Sequence, residues 1–279
     1  MFDTHCHLNF KDFKEKVEMV VKNAQEAGIE WILMPGTDCE TSVKAAKIAQ
    51  RFAGVYAAVG IHPHHVRQIQ KEGDVISKVK WETMKIRKLL NDKKVVAVGE
   101  VGLDKHHYQK TKYDYYQVDE EFVELQKKLL IEQIRLAIEH DKSLVLHNRE
   151  AVDEFLKVLE ENWDRKLEGK TVFHCCEPNE KLLEFAIKHK IYIGVDGDVT
   201  YLSAVKKQEF VKKIPLKLLV LETDSPFLVP EPLKSERIFP NQPANLKIIS
   251  KFLSRLLKIE EEQLDKEVVE NSRKLFSLT

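Results

Sequence analysis

Glycine is scarce in this chain, 10 of 279 residues, and no glycine-rich turn follows the first apolar run. A doubly wound nucleotide-binding sheet normally carries such a turn early, where the backbone approaches a pyrophosphate. That architecture is therefore the runner-up. Cysteine is sparser still. Cys6, Cys39, Cys175 and Cys176 form no spaced framework, and the adjacent pair can hardly bridge without strain. The expectation is reduced thiols packed as small apolar side chains. An excess of one charge is also missing, since 45 Lys+Arg balance 45 Asp+Glu. A protein that wraps nucleic acid through many phosphate contacts needs a basic excess; a local contact made through metal ions does not. No apolar run approaches the roughly 18 residues that cross a bilayer, and the N-terminal stretch lacks a charged-then-apolar targeting pattern. A cytoplasmic protein is expected, with no membrane association and no obligate protein partner evident.

Hydrophobic residues make up 43% of the chain and charged residues 32%, which fits a soluble globular protein with a large core. Short apolar runs alternate with amphipathic stretches throughout. Strands are expected at 2–8, 31–34, 55–59, 95–100, 144–147, 171–174, 191–195 and 218–222. Helices are expected between them, at 11–28, from Asp38 or Thr41 to about 52, and at 75–90, 118–140, 150–163, 181–188 and 201–213. Two more close the chain, at 244–257 and 260–276. Alternating βα units imply a parallel sheet, and eight of them in a chain this long predict a single (β/α)8 barrel domain over 1–279, with an extra C-terminal helix.

The polar residues are not scattered over this pattern. His5 and His7 lie two apart in the first strand and so share a face, with Cys6 turned the other way. His62, Glu100, His147, His174 and Asp224 sit at or just after the ends of strands three, four, five, six and eight. In a barrel those ends converge on one mouth, where active sites form. Imidazoles and carboxylates together suit Zn, Mn, Ni or Co better than Mg, which prefers all-oxygen coordination. The set is large enough for two divalent ions with a carboxylate shared between them. Such a pair polarises a phosphoryl or carbonyl oxygen and makes a hydroxide nucleophile from bound water, and Asp224 could orient that water and accept its proton.

Several motifs together resemble the TatD family of metal-dependent hydrolases. They are Asp3-Thr4-His5-Cys6-His7, Gly60-Ile61-His62-Pro63-His64, Gly99-Glu100-Val101-Gly102-Leu103-Asp104, His147-Asn148-Arg149-Glu150-Ala151, His174-Cys175 and Leu221-Glu222-Thr223-Asp224-Ser225-Pro226. The resemblance implies a TIM-like barrel, a two-metal site and phosphodiesterase activity of the deoxyribonuclease type, with a DNA end or single strand as substrate. It implies that His5, His7, Glu100 and Asp224 hold one ion, and that Glu100, His147 and His174 hold the other. His62 would line the site and contact the substrate phosphate, and Arg149 would anchor substrate or hold the site in place. From its own position at the rim, His64 is a further substrate-side candidate. The chain departs from the family pattern at His174-Cys175-Cys176-Glu177-Pro178, at Arg237 to Pro243, and in a longer segment over 105–125. These departures spare the ligands and alter the rim.

Two other readings use the same residues. One is an amidohydrolase or ester hydrolase acting on a small molecule or an aminoacyl-tRNA; the fourth strand, however, ends in Glu100 and not in the lysine that some amidohydrolases modify. The other is a non-catalytic metal-binding barrel. Away from the constellation, His106-His107-Tyr108 and Tyr113 to Tyr116 read as a packed surface loop, with base stacking as the alternative. Lys206-Lys207 and Lys212-Lys213 read as a solvated helix face.

Overall fold

The computed structural model describes residues 1–66, 75–109 and 117–278. Tyr113 to Tyr116 lie outside the described residues. Eight parallel strands form one sheet in chain order: β1 (Phe2–Asp3), β2 (Trp31–Pro35), β3 (Val55–Val59), β4 (Val95–Asp104), β5 (Ser143–Arg149), β6 (Thr171–Phe173), β7 (Tyr192–Val195) and β8 (Leu219–Leu221). The first and last strands meet just beyond their ends. Thr4 N–H donates to Leu221 O at 3.1 Å, Asp224 N–H to His5 O at 2.9 Å, and His7 N–H to Ser225 O at 2.7 Å. Those bonds close the barrel and rule out the open doubly wound sheet.

Helices fill the connections: α1 (Val17–Glu26), α2 (Cys39–Ala49), α3 (Val75–Leu89), α4 (Glu120–Glu139), α5 (Val152–Asn162), α6 (Glu180–His189) and α7 (Val205–Val211). After β8 come α8 (Leu246–Leu257) and α9 (Glu261–Leu275). Local chemistry sets several of their ends. Asp38 and Thr41 both serve α2 in a reciprocal capping box: Asp38 accepts from Thr41 N–H at 2.8 Å, and Thr41 Oγ1 accepts from Asp38 N–H at 2.9 Å. Gly28 follows α1 at φ +83°, the left-handed position that ends a helix most cheaply. The helix expected from residue 11 is split, with a single 3-10 turn at Lys11–Phe13 ahead of α1.

The interior is built in layers. Phe2, Leu33, Ala58, Ala97, Val145, Val172, Tyr192 and Val220, one from each strand, fill the barrel, and Phe276 plugs its lower end. The opposite strand faces pack against the helices in the main core. Because inward positions recur every two residues, the layer above continues upward from these side chains. From Ala58 the next inward positions are Gly60 and His62. From Val145 the next is His147, and from Val172 it is His174. From Val220 they are Glu222 and Asp224, and from Tyr192 they are Gly194 and Asp196.

Two strands break this phase. The β4–β5 pairing shifts register between Val98 and Val101. Ala97 faces in, yet Val101 and Leu103 face the outer core, so Glu100, Gly102 and Asp104 face the mouth. β1 is two residues long, not the seven expected, and the phase changes between Phe2 and His5. Cys6 then pairs with Ser225 and is buried in the outer core, leaving His5 and His7 on the inside.

Candidate active site

Six side chains meet at the upper end of the barrel around Glu100, itself 4% exposed. Its Oε2 lies 3.4 Å from His5 Nε2 and 3.7 Å from His7 Nε2. Those two imidazole nitrogens are 3.2 Å apart. Asp224 Oδ1 completes the group, 3.4 Å from His7 Nε2 and 3.9 Å from His5 Nε2. The other oxygen, Oε1, lies 2.9 Å from His147 Nδ1, 3.4 Å from His62 Nε2 and 3.7 Å from His174 Nε2. One carboxylate thus faces two donor groups, one with each oxygen.

The first group fits a cation. Ligand atoms about 2.0–2.1 Å from a tetrahedral ion sit about 3.4 Å from one another, and the separations here run from 3.2 to 3.9 Å. The Nδ1 atoms of His5 and His7 are buried without a hydrogen-bond partner among the described residues, and the rings are held by stacking, His5 on His174 at 3.4 Å and His7 on Phe10 at 4.2 Å. Burial, with the neighbouring His174, pushes His5 down to about 4. It is a neutral ring with a free lone pair at working pH, as a ligand must be.

In the second group, carboxylates behind the rings select the tautomers. Asp104 Oδ2 lies 3.1 Å from His147 Nε2, which puts the proton there and leaves Nδ1 aimed at Glu100. Glu222 Oε1 lies 3.0 Å from His174 Nδ1, which makes Nε2 the lone-pair nitrogen of the neutral ring. Burial opposes a proton on either ring, but the carboxylates outweigh it: His147 is pushed up to about 9 by Asp104 and Glu100, and His174 to about 10 by Glu222 and Glu100. A cation entering this group therefore displaces protons. Glu100 is held well below the carboxylate range; burial works against this, and His62, His147 and His5 overcome it.

His62 is different. The backbone N–H of His64 donates to its Nδ1 at 3.1 Å, so the neutral ring carries its proton on Nε2. Burial lowers its pKa, which favours that neutral form. It faces Glu100 as a hydrogen-bond donor and not as a lone pair.

These groups open into a cavity of about 700 Å³, whose walls include Phe10, His64, Tyr108, Arg149, Lys207 and Phe227. A wider depression of about 1010 Å³ at the opposite end of the barrel, beside Met1 and Arg273, gathers no comparable donor set among the described residues.

A family model described as TatD related DNase matches residues 2–277. The chain belongs to the TatD family. It is a metal-dependent hydrolase on the fold expected of that family. It is 31% identical to an uncharacterized metal-dependent hydrolase, YabD, of Bacillus subtilis, over all of this chain and 99% of that one. It is 32% identical to a protein named 3'-5' ssDNA/RNA exonuclease TatD from Erwinia billingiae, again over 100% and 99%. Among solved structures, the TatD homologue YjjV of Escherichia coli superposes with a TM-score of 0.84 at 28% identity, covering 100% of this chain and 98% of that one.

All six candidate ligands of this TatD-family chain converge. The substrate-side candidates are more dispersed. Arg149 turns to Tyr108, with Nη1 3.1 Å from the hydroxyl and the guanidinium 5.2 Å from the ring centroid. Tyr108 in turn donates to Asp104 at 2.8 Å, and His64 meets its ring edge-on at 5.0 Å. Tyr108 thus reaches back into the site. Lys207 is no part of a solvated face. It is 7% exposed and paired with Asp196 Oδ1 at 2.8 Å and with Asp198. A cation beside apolar residues at helical spacing gave no hint that its partners lay at the end of β7.

Asp104 and Glu222, quoted above only as motif letters, hold the rings of His147 and His174. Their signal was the inward period of two. Gly194 leaves room for one of them: a Cβ there would sit 2.5 Å from the Glu222 carboxylate oxygens. Gly102 lets β4 and β5 close, since its Cβ would lie 1.8 Å from His147 O. Partners of this kind typically contribute about 10- to 100-fold to metal affinity. We expect Asp104→Asn and Glu222→Gln each to weaken divalent-ion binding by roughly that factor, measured by competition against a fluorescent chelator. Unchanged affinity in both would contradict tautomer selection by these carboxylates.

Proposed function

We propose that this TatD-family hydrolase is a two-metal phosphodiesterase that acts on nucleic-acid ends. The observation that carries the proposal is the split role of Glu100, with Oε2 toward His5 and His7 and Oε1 toward His147 and His174. In this reading His5, His7, Asp224 and Glu100 would hold one divalent ion, and Glu100, His147 and His174 the other. Zn, Mn, Ni or Co suits this nitrogen-rich set better than Mg. The ions would supply Lewis acidity and lower the pKa of a water molecule that attacks phosphorus.

The chain's own residues do the rest. His62, with a proton on Nε2, donates to a non-bridging phosphoryl oxygen and offsets the charge that grows there. Asp224 is held below the usual carboxylate range by His7, His174 and His5, against its burial. It stays ionised and accepts the proton lost by the attacking water. Arg149 anchors a neighbouring phosphate from the cavity wall. The name of the Erwinia relative, a 3'-5' ssDNA/RNA exonuclease, supports a nucleic-acid substrate over an amide or a small ester.

The test is hydrolysis of a 5′-labelled single-stranded oligonucleotide by metal-loaded protein, beside an amide panel and an aminoacyl ester. Stepwise shortening of the oligonucleotide that stops on chelation, and resumes with added Mn or Zn, is expected. Turnover of the amide or the ester, with an intact oligonucleotide, would overturn the nuclease reading.

A further inference from the structure

Large aromatic side chains at a protein surface are usually half-covered and loosely held. Phe227 is 51% exposed, on a tied-down backbone. Its N–H donates to Asp224 O at 2.9 Å, a tight backbone turn directly after that candidate ligand. On either side of it, the fully buried Asn241 donates to Thr223 O at 2.9 Å and Leu228 O at 3.3 Å. The ring also leans on a preformed stack. Phe10 lies parallel to His7 at 4.2 Å, and Phe227 stands edge-on to both, 6.3 Å from His7 and 6.2 Å from Phe10. Part of the ring is engaged there, and the rest is open beside the cavity it lines.

The placement is specific. Phe10 follows β1 and Phe227 follows β8, which meet at the barrel seam. Tyr108 and Arg149 follow β4 and close β5, halfway round the sheet. The cavity therefore has an aromatic flank against the His5–His7 group and a cationic flank across from it. A rigid, exposed π-face next to a phosphodiester-cleaving centre matches a nucleobase, whatever its identity, because every base has a π-face. A paired base is already covered on both faces by its neighbours and cannot use it.

We infer that Phe227, backed by Phe10, is the stacking platform for the nucleobase next to the scissile phosphodiester, and that it selects unpaired ends. This rests on the nuclease reading above. Phe227 touches substrate and not the reacting atoms, so its removal should change discrimination more than chemistry.

The experiment compares a single-stranded oligonucleotide with the same strand made abasic at its terminal residue, at whichever end is cleaved, using metal-loaded wild-type protein, Phe227→Ala and Phe227→Trp. Stacking on an aromatic residue corresponds to about 5- to 100-fold in kcat/KM. The wild type is expected to prefer the natural strand by a factor in that range. In Phe227→Ala the preference should fall to about one, and Phe227→Trp should keep it. A wild type that cleaves both strands equally, or an alanine variant that keeps the full preference, overturns the platform while leaving the nuclease standing. If the wild type cleaves neither strand while turning over another ester, the nuclease reading fails and the platform falls with it.

Discussion

Glu100→Ala is expected to lower turnover by at least about a thousandfold. Among the described residues, Glu100 is the one whose two oxygens each face a different group of these histidines, 3.4 Å from His5 and 2.9 Å from His147. Its removal disturbs both groups at once. Lewis-acid stabilisation of a phosphoryl transfer is worth several kcal/mol, and each 1.36 kcal/mol is about tenfold in rate. The variant also leaves His62, His147 and His174 without the anion that faces them, so the rings lose their common partner. Initial rates on a labelled oligonucleotide check this directly, and circular dichroism shows whether the barrel has kept its fold. Glu100→Gln sharpens the result. The amide keeps the shape but offers an oxygen to one group only, so it should bind one ion tightly and remain nearly inactive. Turnover within tenfold of wild type in either variant would contradict a shared carboxylate.

Asp224→Asn is expected to cost about 10²- to 10⁴-fold in kcat, the usual contribution of a positioned proton acceptor. Asparagine suits this position, because Asp224 sits at φ +50° and Asn tolerates the left-handed region better than most residues. The backbone bond from residue 224 to His5 O at 2.9 Å is also kept, so the barrel seam survives. Lost chemistry can then be told from lost structure. The measurement is kcat and KM at saturating metal: a fall in kcat with little change in KM fits a group that acts on the proton. A raised KM with kcat intact would instead assign Asp224 to substrate or ion binding alone.

Much of this site was legible in the sequence because barrels obey two simple periods. Short apolar runs marked the strands, and a metal-compatible residue at the end of most of them marked the mouth. What escaped notice did so for physical reasons. The first strand pairs over only two residues, because the chain leaves the sheet at Thr4 to put two imidazoles inside. The alternation that placed His5 and His7 on one face held all the same. The β4 register shift that turns Glu100 inward leaves no composition signal, as it depends on how β4 meets β5. Asp104 and Glu222 were visible as letters, but their work becomes clear only from the 3.1 Å and 3.0 Å contacts to His147 and His174. Lys207 was misread since its two carboxylate partners come from another element. Phe227 carried no flag, because an aromatic residue after a strand is ordinary until its exposure and fixed orientation are known.

The proposed mechanism depends on a paired-ion centre joined by Glu100. Elemental analysis of purified protein, saturated with Zn or Mn and then dialysed, tests it most directly. Two equivalents per chain are expected, falling to one in His147→Ala, where the first group keeps His5, His7, Glu100 and Asp224. A single equivalent in the wild type, unchanged in His147→Ala, would contradict it.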